Sequence, residues 1–357
     1  MKLDFLPFDL QLNHAWTISR SATTGGGSKL APVVLVRLSD NSTVGLGEAP
    51  TSKRYAQNAD SIQDFLRLVD PSKLSFGDIP ASMTYLEKLA PNNFSAKCAL
   101  NVALCDGAGR LAGKPVYDLL GLGFTEKKHL TSLSIGIDTP EMIGRKVAEA
   151  APYPILKLKI GAPGDKENLA ALRQVDSKKT VRVDANEGWA TKEEALRQIE
   201  WLAQDAHIEF VEQPMPASTP TRDLAWLKSR SPLPLFADES CQNVHDIPNC
   251  AECYHGVNVK LIKTGGITGA HETLQAARRA GLKTMLGCMI ESSVLITAAA
   301  HLAELTDHLD IDGNLLISND PFAGATAERG AVSFATATEK TGLRVKSRNV
   351  DPFGGAP

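Results

Sequence analysis

The chain has 357 residues, which is more than a single hydrophobic core usually supports, so we expect two domains. Charged residues make up 22% of the chain and the formal net charge is −3, so no basic excess favours a nucleic acid as a partner. No apolar stretch reaches the length of a membrane span or of a secretion signal, and we therefore expect a cytoplasmic protein with no membrane partner.

The first 125 residues predict an α+β capping domain. The segment "PVVLVRLSDNSTVGLGEA" predicts a β-hairpin with its turn at Asp40-Asn41, and "SAKCALNVALCDGAGRLAG" predicts a helix rich in small residues. Within residues 14–29, the stretch "SRSATTGGGSK" (19–29) matches neither the P-loop nor the dinucleotide-binding pattern. Its Gly and Ser content predicts a mobile lid rather than a phosphate cradle.

Eight strand-like segments alternate with helix-like patches in residues 126–329, a pattern that predicts parallel βα units. Eight units suffice to close a (β/α)8 barrel of the TIM type, and a doubly wound sheet is the competing architecture. Most of the segments end in polar or charged residues, where a barrel builds its active site, so the barrel is favoured. The segments are LTSLSIGI (130–137), ILKLKIG (155–161), TVRVDANE (180–187), IEFVEQP (208–214), LPLFADES (233–240), GVNVKLIK (256–263), KTMLGCMIES (283–292) and HLDIDGNLL (308–316).

Three carboxylates follow one another at the ends of the third, fourth and fifth segments: Asp184, Glu212 and Asp238. Three unneutralised acids at one barrel mouth would repel one another and raise their pKa values. Hard oxygen ligands suit Mg²⁺. No histidine occupies these strand ends, which argues against zinc, so the pattern predicts one magnesium ion per subunit. Structural salt bridges with nearby lysines and arginines are the alternative interpretation.

Lysines at the ends of the second and sixth segments predict acid–base chemistry beside that metal. Lys157 and Lys159 alternate with apolar residues and therefore share one face of their strand. Lys260 belongs to a strand on the far side of an eight-stranded barrel. Two such amines around a cation suit proton removal next to a carboxylate and stabilisation of the resulting enediolate. We expect Lys157 to lower the pKa of Lys159 by like-charge repulsion and to contact the substrate carboxylate.

A lone C-x-x-C, "CAEC" at 250–253, lies close to His255. Without a second pair of cysteines or a preceding thioredoxin-like strand, this spacing is weak support for a zinc or redox site. A short helical turn that carries two small residues is the better interpretation, and we expect the cysteines to stay reduced.

These motifs resemble those of the enolase superfamily, in particular its muconate-lactonizing-enzyme-like subgroup. The resemblance covers nearly the whole chain and implies that a final segment, residues 330–357, packs back on the capping domain. "KLK" resembles the motif whose second lysine, here Lys159, is an acid/base. "DAN", "VEQP" and "ADES" resemble the three metal-ligand motifs. "KLIKTGGITGA" resembles the sixth-strand motif, which implies that Lys260 rather than Lys263 is the second acid/base.

Within the subgroup, "GCMIESS" and "DIDG" look most like the dipeptide epimerases. That resemblance implies that Asp310 and Asp312 bind the free α-ammonium of the substrate, because two acceptor-only carboxylates form a site for a cation. It also implies that Cys288 and Ser134 line the pocket. Arg20, in the lid, would recognise a side-chain carboxylate, which indicates a dipeptide ending in glutamate, as in L-Ala-D/L-Glu epimerases. His14 is a weaker candidate for the same pocket.

The sequence therefore predicts a magnesium-dependent dipeptide epimerase with a small-molecule substrate, and it leaves a homo-oligomer open. The nearest alternatives share the fold and the metal: an o-succinylbenzoate synthase, a muconate cycloisomerase or an N-acylamino-acid racemase. A lyase or aldolase that forms a Schiff base with Lys159 is a further alternative. The last alternative is a barrel that binds metal or peptide without catalysis.

Overall fold

A computed structural model describes residues 1–22, 27–40, 43–348 and 350–354 of the chain. The hairpin predicted around Asp40-Asn41 is present, since Asp40 pairs with Thr43, although residues 41–42 of its turn lie outside the described part. The predicted lid is described only at its two ends, because residues 23–26 also lie outside.

The capping part combines an antiparallel sheet of order β1-β2-β3 with helices packed on one face. Its strands are β1 (Lys2–Trp16), β2 (Ser28–Asp40) and β3 (Thr43–Pro50). Its helices are α1 (Ser19–Ala22), α2 (Ala59–Leu68), α3 (Ile79–Leu89), α4 (Phe94–Leu111) and α5 (Val116–Leu119). Gly47 of β3 lets α4 approach closely, since a Cβ at Gly47 would lie only 2.0 Å from the carbonyl oxygen of Ala99 on α4.

Eight parallel strands form the second sheet, and each pairs with its neighbour in chain order. They are β4 (Leu133–Ile135), β5 (Ile155–Lys159), β6 (Thr180–Asp184), β7 (Ile208–Glu212), β8 (Leu235–Ala237), β9 (Gly256–Lys260), β10 (Lys283–Gly287) and β11 (His308–Asp310). A parallel bridge between Thr131 and Leu309 joins the first strand segment to the last and closes the sheet. Sequential order with closure confirms the barrel and excludes the doubly wound sheet.

Helices alternate with the barrel strands as predicted. They are α6 (Pro140–Glu149), α7 (Asp165–Val175), α8 (Lys192–Leu202), α9 (Thr221–Lys228), α10 (Ile247–Cys253), α11 (Leu261–Thr264), α12 (Ile267–Arg279) and α13 (Ser293–Ala300). The "CAEC" motif lies on α10 with Cys250 and Cys253 buried, so the helical interpretation is confirmed. Among the described residues, no helix has the length and apolarity needed to cross a bilayer.

Beyond the barrel, four short strands form two antiparallel pairs: β12 (Phe322–Ala323) with β15 (Lys346–Ser347), and β13 (Thr326–Glu328) with β14 (Ala331–Ser333). This last segment contacts the capping part. The backbone N–H of Leu343 donates a 2.8 Å hydrogen bond to Asp106 Oδ1 on α4, and Arg37 Nη1 lies 3.1 Å from Asp351 Oδ2. Gly342 has a φ of 63°, and a Cβ there would lie 2.1 Å from Asp106 Oδ1.

Candidate active site

Three carboxylates, which we call the acidic triad, lie at the C-terminal ends of three consecutive barrel strands. Asp184 ends β6, Glu212 ends β7, and Asp238 directly follows β8. One oxygen of each lies within 4.8 Å of the others, and all three side chains are buried; the described part of the chain contains no second such group. Register explains the clustering, since Asp184 pairs with Glu212 and paired residues of parallel strands point to the same side of the sheet.

Two lysines contact the acidic triad from opposite strands. Lys159 Nζ lies 2.6 Å from Asp184 Oδ2, and Lys260 Nζ lies 2.8 Å from Asp238 Oδ2. Three strands separate β5 from β9 in either direction around the closed sheet, so the two amines enter the barrel mouth from opposite walls. Lys263, in the short helix that follows β9, donates to the other oxygen of Asp238 at 2.8 Å.

Lys157 lies deeper than Lys159 on the same face of β5. Its Nζ lies 2.6 Å from Asp310 Oδ2, 2.7 Å from Glu212 Oε2 and 3.1 Å from Asp184 Oδ2. Burial alone would lower the pKa of Lys157, but the charges of these carboxylates raise it well above its usual value. Lys157 is therefore an ammonium ion at the centre of the cluster.

The acidic triad is unevenly stabilised by the protein. Burial, together with the charge of Asp184, raises the pKa of Glu212 to about 8. Burial acts on Asp184 in the same direction, but the ammonium groups of Lys159 and Lys157 outweigh it and lower the pKa of Asp184 to about 2. Full ionisation of Glu212 at neutral pH therefore depends on further positive charge.

The donor set fits a magnesium ion. Asn258 Nδ2 donates a 2.7 Å hydrogen bond to Glu212 Oε1 and fixes that carboxylate. The other oxygen of Glu212 is buried and makes no aligned hydrogen bond with any described residue, although Lys157 Nζ lies close to it. This buried oxygen lacks an aligned hydrogen-bond donor and lies beside two further carboxylates, with no histidine in the set. Such a group of oxygen ligands suits a hard cation.

The predicted substrate-binding residues at the first, seventh and eighth strands come together in one cluster. Asp310 Oδ1 accepts a 2.6 Å hydrogen bond from Ser132 Oγ, and Asp312 Oδ2 accepts one of 2.6 Å from the backbone N–H of Ser134. Cys288 Sγ lies 3.9 Å from Asp312 Oδ1. Burial, with the nearby charge of Asp310, raises the pKa of Asp312 to about 6.

Arg20 reaches the barrel mouth from the capping part. Its Nη1 lies 2.6 Å from Glu239 Oε1 and 2.9 Å from Glu187 Oε2. Burial alone would lower the pKa of Arg20, but the neighbouring charges, led by Glu239, raise it. Arg54, from a second capping segment, also contacts Glu187, with its Nε 2.9 Å from Oε2. The structure thus brings Arg20 to the mouth already paired with two barrel acids.

His14 lies outside the acidic cluster. Its Nε2 lies 2.8 Å from Glu149 Oε2 on α6. It lines a cavity of about 300 Å³ that Trp16, Ser134 and Tyr153 also line. The hydrogen bond with Glu149 gives His14 a structural partner, and no described contact joins its side chain to the triad.

Both parts of the chain match known families. Residues 142–337 match the family described as enolase C-terminal domain-like, and residues 11–121 match the N-terminal domain of mandelate racemase/muconate lactonizing enzyme. The chain belongs to the mandelate racemase/muconate lactonizing enzyme family of the enolase superfamily. The resemblance drawn from the sequence motifs is confirmed.

Several relatives and solved structures that are similar to this chain are dipeptide epimerases. The L-Ala-D/L-amino acid epimerase of Pedosphaera parvula is 61% identical over 349 residues, which is 98% of this chain and 100% of that protein. The L-Ala-D/L-Glu epimerase of Bacteroides thetaiotaomicron is 36% identical over 93% of this chain and 85% of that protein. The substrate-liganded L-Ala-D/L-Glu epimerase of Bacillus subtilis superimposes with a TM-score of 0.88 at 28% identity, covering 97% and 98% of the two chains. The dipeptide epimerase of Cytophaga hutchinsonii, complexed with Mg and D-Ala-L-Val, gives 0.87 at 26% identity, covering 97% and 95%.

Several residues at the site had no role in the sequence interpretation. Gln213, inside "VEQP", accepts hydrogen bonds from the backbone N–H groups of Asp238 and Ser240 at 2.9 Å and 3.1 Å, and so fixes the end of β8. Trp16, from the capping part, has its ring centroid 6.0 Å from Lys159 Nζ. Gln213 also has a φ of 36°, which no sequence pattern indicates.

Proposed function

We propose that this protein is a dipeptide epimerase that inverts the α-carbon of the C-terminal residue by transferring a proton from one face to the other. The observation that carries the proposal is the placement of Lys159 and Lys260, which contact different members of one acidic triad from opposite strands. A substrate carbon between them presents one face to each amine, so removal by one lysine and return by the other inverts the centre.

The two lysines need opposite protonation states at the start of each turnover. Burial would lower the pKa of Lys260, but the charge of Asp238 raises it, so Lys260 is set up as the acid in the state described here. Lys159, on the opposite wall, then acts as the base. The roles exchange for the other stereoisomer.

We assign Asp184, Glu212 and Asp238 to a bound magnesium ion. The ion would supply positive charge for the enediolate that forms when the α-proton leaves. Lys157 neutralises the same carboxylates: its Nζ donates a 2.6 Å hydrogen bond to Asp310 Oδ2 and lies 2.7 Å from Glu212 Oε2 and 3.1 Å from Asp184 Oδ2. A substrate carboxylate that contacts Lys157 therefore competes with these acids for the same ammonium group.

Asp310 and Asp312 form the site for the free α-ammonium of the dipeptide. Both side chains are buried, and donors on and next to the first strand hold them: Ser132 Oγ donates to Asp310, and the backbone N–H of Ser134 donates to Asp312. Ser134 positions Asp312, and Cys288 lies against it. N-acylated substrates lack the cation that this pair recognises, which disfavours an N-acylamino-acid racemase.

Arg20 is the candidate for recognition of the C-terminal residue of the substrate. We assign Arg20 to a side-chain carboxylate of that residue, as in a dipeptide ending in glutamate. Its position at the mouth, 35% exposed, is compatible with this assignment, and its pairing with Glu187 and Glu239 reduces its net attraction for a further carboxylate. The paired carboxylates support a dipeptide as the substrate class, and we assign the choice of side chain to the capping segments.

Isotope exchange tests the proposal directly. The magnesium-loaded protein is incubated with a dipeptide library in D₂O, and mass spectrometry follows deuterium at each α-carbon. Deuterium in the C-terminal residue, with inversion detected by chiral chromatography, is the expected outcome. Absence of exchange with every dipeptide would remove the proposal. Borohydride trapping in parallel reports a Schiff-base aldolase, and N-succinyl and N-acetyl amino acids report the racemase.

A further inference from the structure

Glu187 occupies an unusual backbone position directly beyond the acidic triad. It follows Asn186, and the two residues have φ values of 66° and 44°, the left-handed region that residues other than glycine seldom adopt. The backbone N–H of Glu187 donates to Gln213 O at 2.9 Å and holds this turn against the next strand. The turn directs the Glu187 side chain at the capping part instead of into solvent.

One carboxylate then joins three separate segments. Glu187 Oε2 accepts from Arg20 Nη1 and from Arg54 Nε, both at 2.9 Å. Glu187 Oε1 accepts from Arg54 Nη2 at 3.1 Å and from the backbone N–H of Ala217 at 2.8 Å. The side chain is only 10% exposed, so water and salt screen these ion pairs less than they screen a surface pair.

The two capping segments held in this way carry aromatic residues, and the first of them lies over Lys159. In the first, Ser19 Oγ donates to Asn186 O at 2.9 Å, and the nearby Trp16 ring lies over Lys159. In the second, Tyr55 follows Arg54. Burial raises the pKa of Tyr55, although the charge of Lys263 acts in the opposite direction. Arg54 Cζ lies 5.9 Å from the centroid of the Tyr55 ring, so the ion pair with Glu187 also holds Tyr55 in place.

We propose that Glu187 is a positioning residue that fixes both capping segments over the barrel mouth and so sets the affinity for the dipeptide. It does not touch the reacting atoms; it acts through Arg20 and Arg54. With Glu187 neutral, both arginines lose a charged partner at the same time, and closure over the bound dipeptide becomes less favourable. The inference rests on the proposed function, because its kinetic readout is dipeptide epimerisation.

The Glu187→Gln variant tests this role while it preserves the size of the side chain. We expect KM to rise about tenfold, which corresponds to about 1.4 kcal/mol, with kcat changed by less than about threefold. A merely structural defect would lower the active fraction, and therefore kcat, without changing KM. Glu193→Gln, an exposed acid on the following helix, is the matched control and should leave both constants unchanged. Wild-type KM in Glu187→Gln would overturn the inference.

A double-mutant cycle with Arg54→Gln identifies the contact that carries the effect. Because Arg54 and Glu187 act through one ion pair, the double variant should show a KM close to that of the more affected single variant. Additive increases would overturn the inference.

Limited trypsin digestion without substrate provides a readout that does not depend on the proposed reaction. Cleavage after Arg54 should be faster in Glu187→Gln than in the wild type, while cleavage after Lys73, in an exposed turn of the same capping part, should keep its rate. Unchanged cleavage after Arg54 would count against the closure. If the wild type exchanges no dipeptide proton, the proposed function fails, and this digestion still decides the role of Glu187.

Discussion

Lys159 and Lys260 contact two carboxylates of the same triad, at 2.6 Å and 2.8 Å, from strands that stand opposite each other in the closed sheet. Each amine therefore approaches the space above the triad from its own side. A carbon held there is accessible to an acid on one face and a base on the other.

Replacement of either lysine should abolish epimerisation. In Lys159→Ala or Lys260→Ala, one face of the substrate loses its proton donor or acceptor, so we expect kcat to fall by about 10³-fold or more. Chiral chromatography of the products measures it. Lys192→Ala is the control, because it removes an ion pair with Asp223 that joins α8 and α9. Near-normal turnover of both stereoisomers by either variant would contradict the two-base scheme.

Magnesium should stabilise the folded protein through the acidic triad. At a free magnesium concentration of 100 times Kd, binding adds about 2.7 kcal/mol to the free energy of unfolding, so Tm should rise with the ion and fall with a chelator. Glu212→Gln should lose this rise, since it removes the charge of one ligand. Glu209→Gln, on the same strand but paired with Arg182, should keep it. If magnesium raised the Tm of Glu212→Gln by as much as it raises the Tm of the wild type, Glu212 would be excluded as a ligand.

Asp312→Asn should weaken recognition of the free α-ammonium. We expect kcat/KM for free dipeptides to fall about 100-fold, the loss of a charge-assisted hydrogen bond in a buried site. The activity towards N-acetylated dipeptides, low in the wild type, should not fall with it. Equal losses for both substrate classes would instead indicate a general structural role for Asp312.

Arg20→Gln should change the choice of the C-terminal residue. The ratio of kcat/KM for a dipeptide ending in glutamate to that for one ending in leucine should fall at least tenfold, because only the acidic side chain loses a charged partner. The ratio is the measure, since loss of the contact with Glu187 affects both substrates. An unchanged ratio would show that Arg20 does not read the side chain.

Stability should decrease as the pH rises from about 4.5 to about 8 because of Glu48, which lies on β3 and is buried against Ser292. Burial raises its pKa to about 8 in the folded protein, from an ordinary value of 4.5, although Ser292 donates to it. The folded state therefore keeps a proton that the unfolded chain releases between these two values. The stabilisation is complete below pH 4.5 and is lost as the pH rises through 8, at up to about 1.4 kcal/mol per pH unit.

The Glu48→Gln variant should have a flatter profile of unfolding free energy against pH over that range, measured by denaturant titration. The difference between the two profiles isolates Glu48 from other buried acids such as Glu291, whose pKa burial raises to about 7. Glu193→Gln is the exposed control. A profile of Glu48→Gln that follows the wild type would show that Glu48 is ionised throughout.

The sequence was sufficient for the barrel and for the residues at its strand ends, because strand alternation and barrel topology are both local, repeating patterns. Lys159, Asp184 and Glu212 each end a strand, and their positions follow once the strands are known. The predicted segments were longer than the strands, since their polar ends turn into the loops that carry the site.

The ion pairs around Glu187 could not be predicted in this way. Arg54 lies 133 residues from Glu187 in the chain, and the pairing depends on a left-handed turn that has no glycine to signal it. Gln213 was visible within its motif, but its role as an acceptor for two backbone N–H groups depends on how β7 and β8 meet. Contacts of this kind depend on how segments far apart in the chain pack together, which sequence patterns do not specify.

Because a bridge from Thr131 to Leu309 makes the sheet a closed ring, strand number and tilt set the separation of β5 and β9, the strands that carry the two amines. Insertions or deletions in the segments above the ring leave that spacing untouched. An engineer could therefore exchange residues 14–29 or the turn at 53–55 to admit a different dipeptide while the chemistry below stays in place.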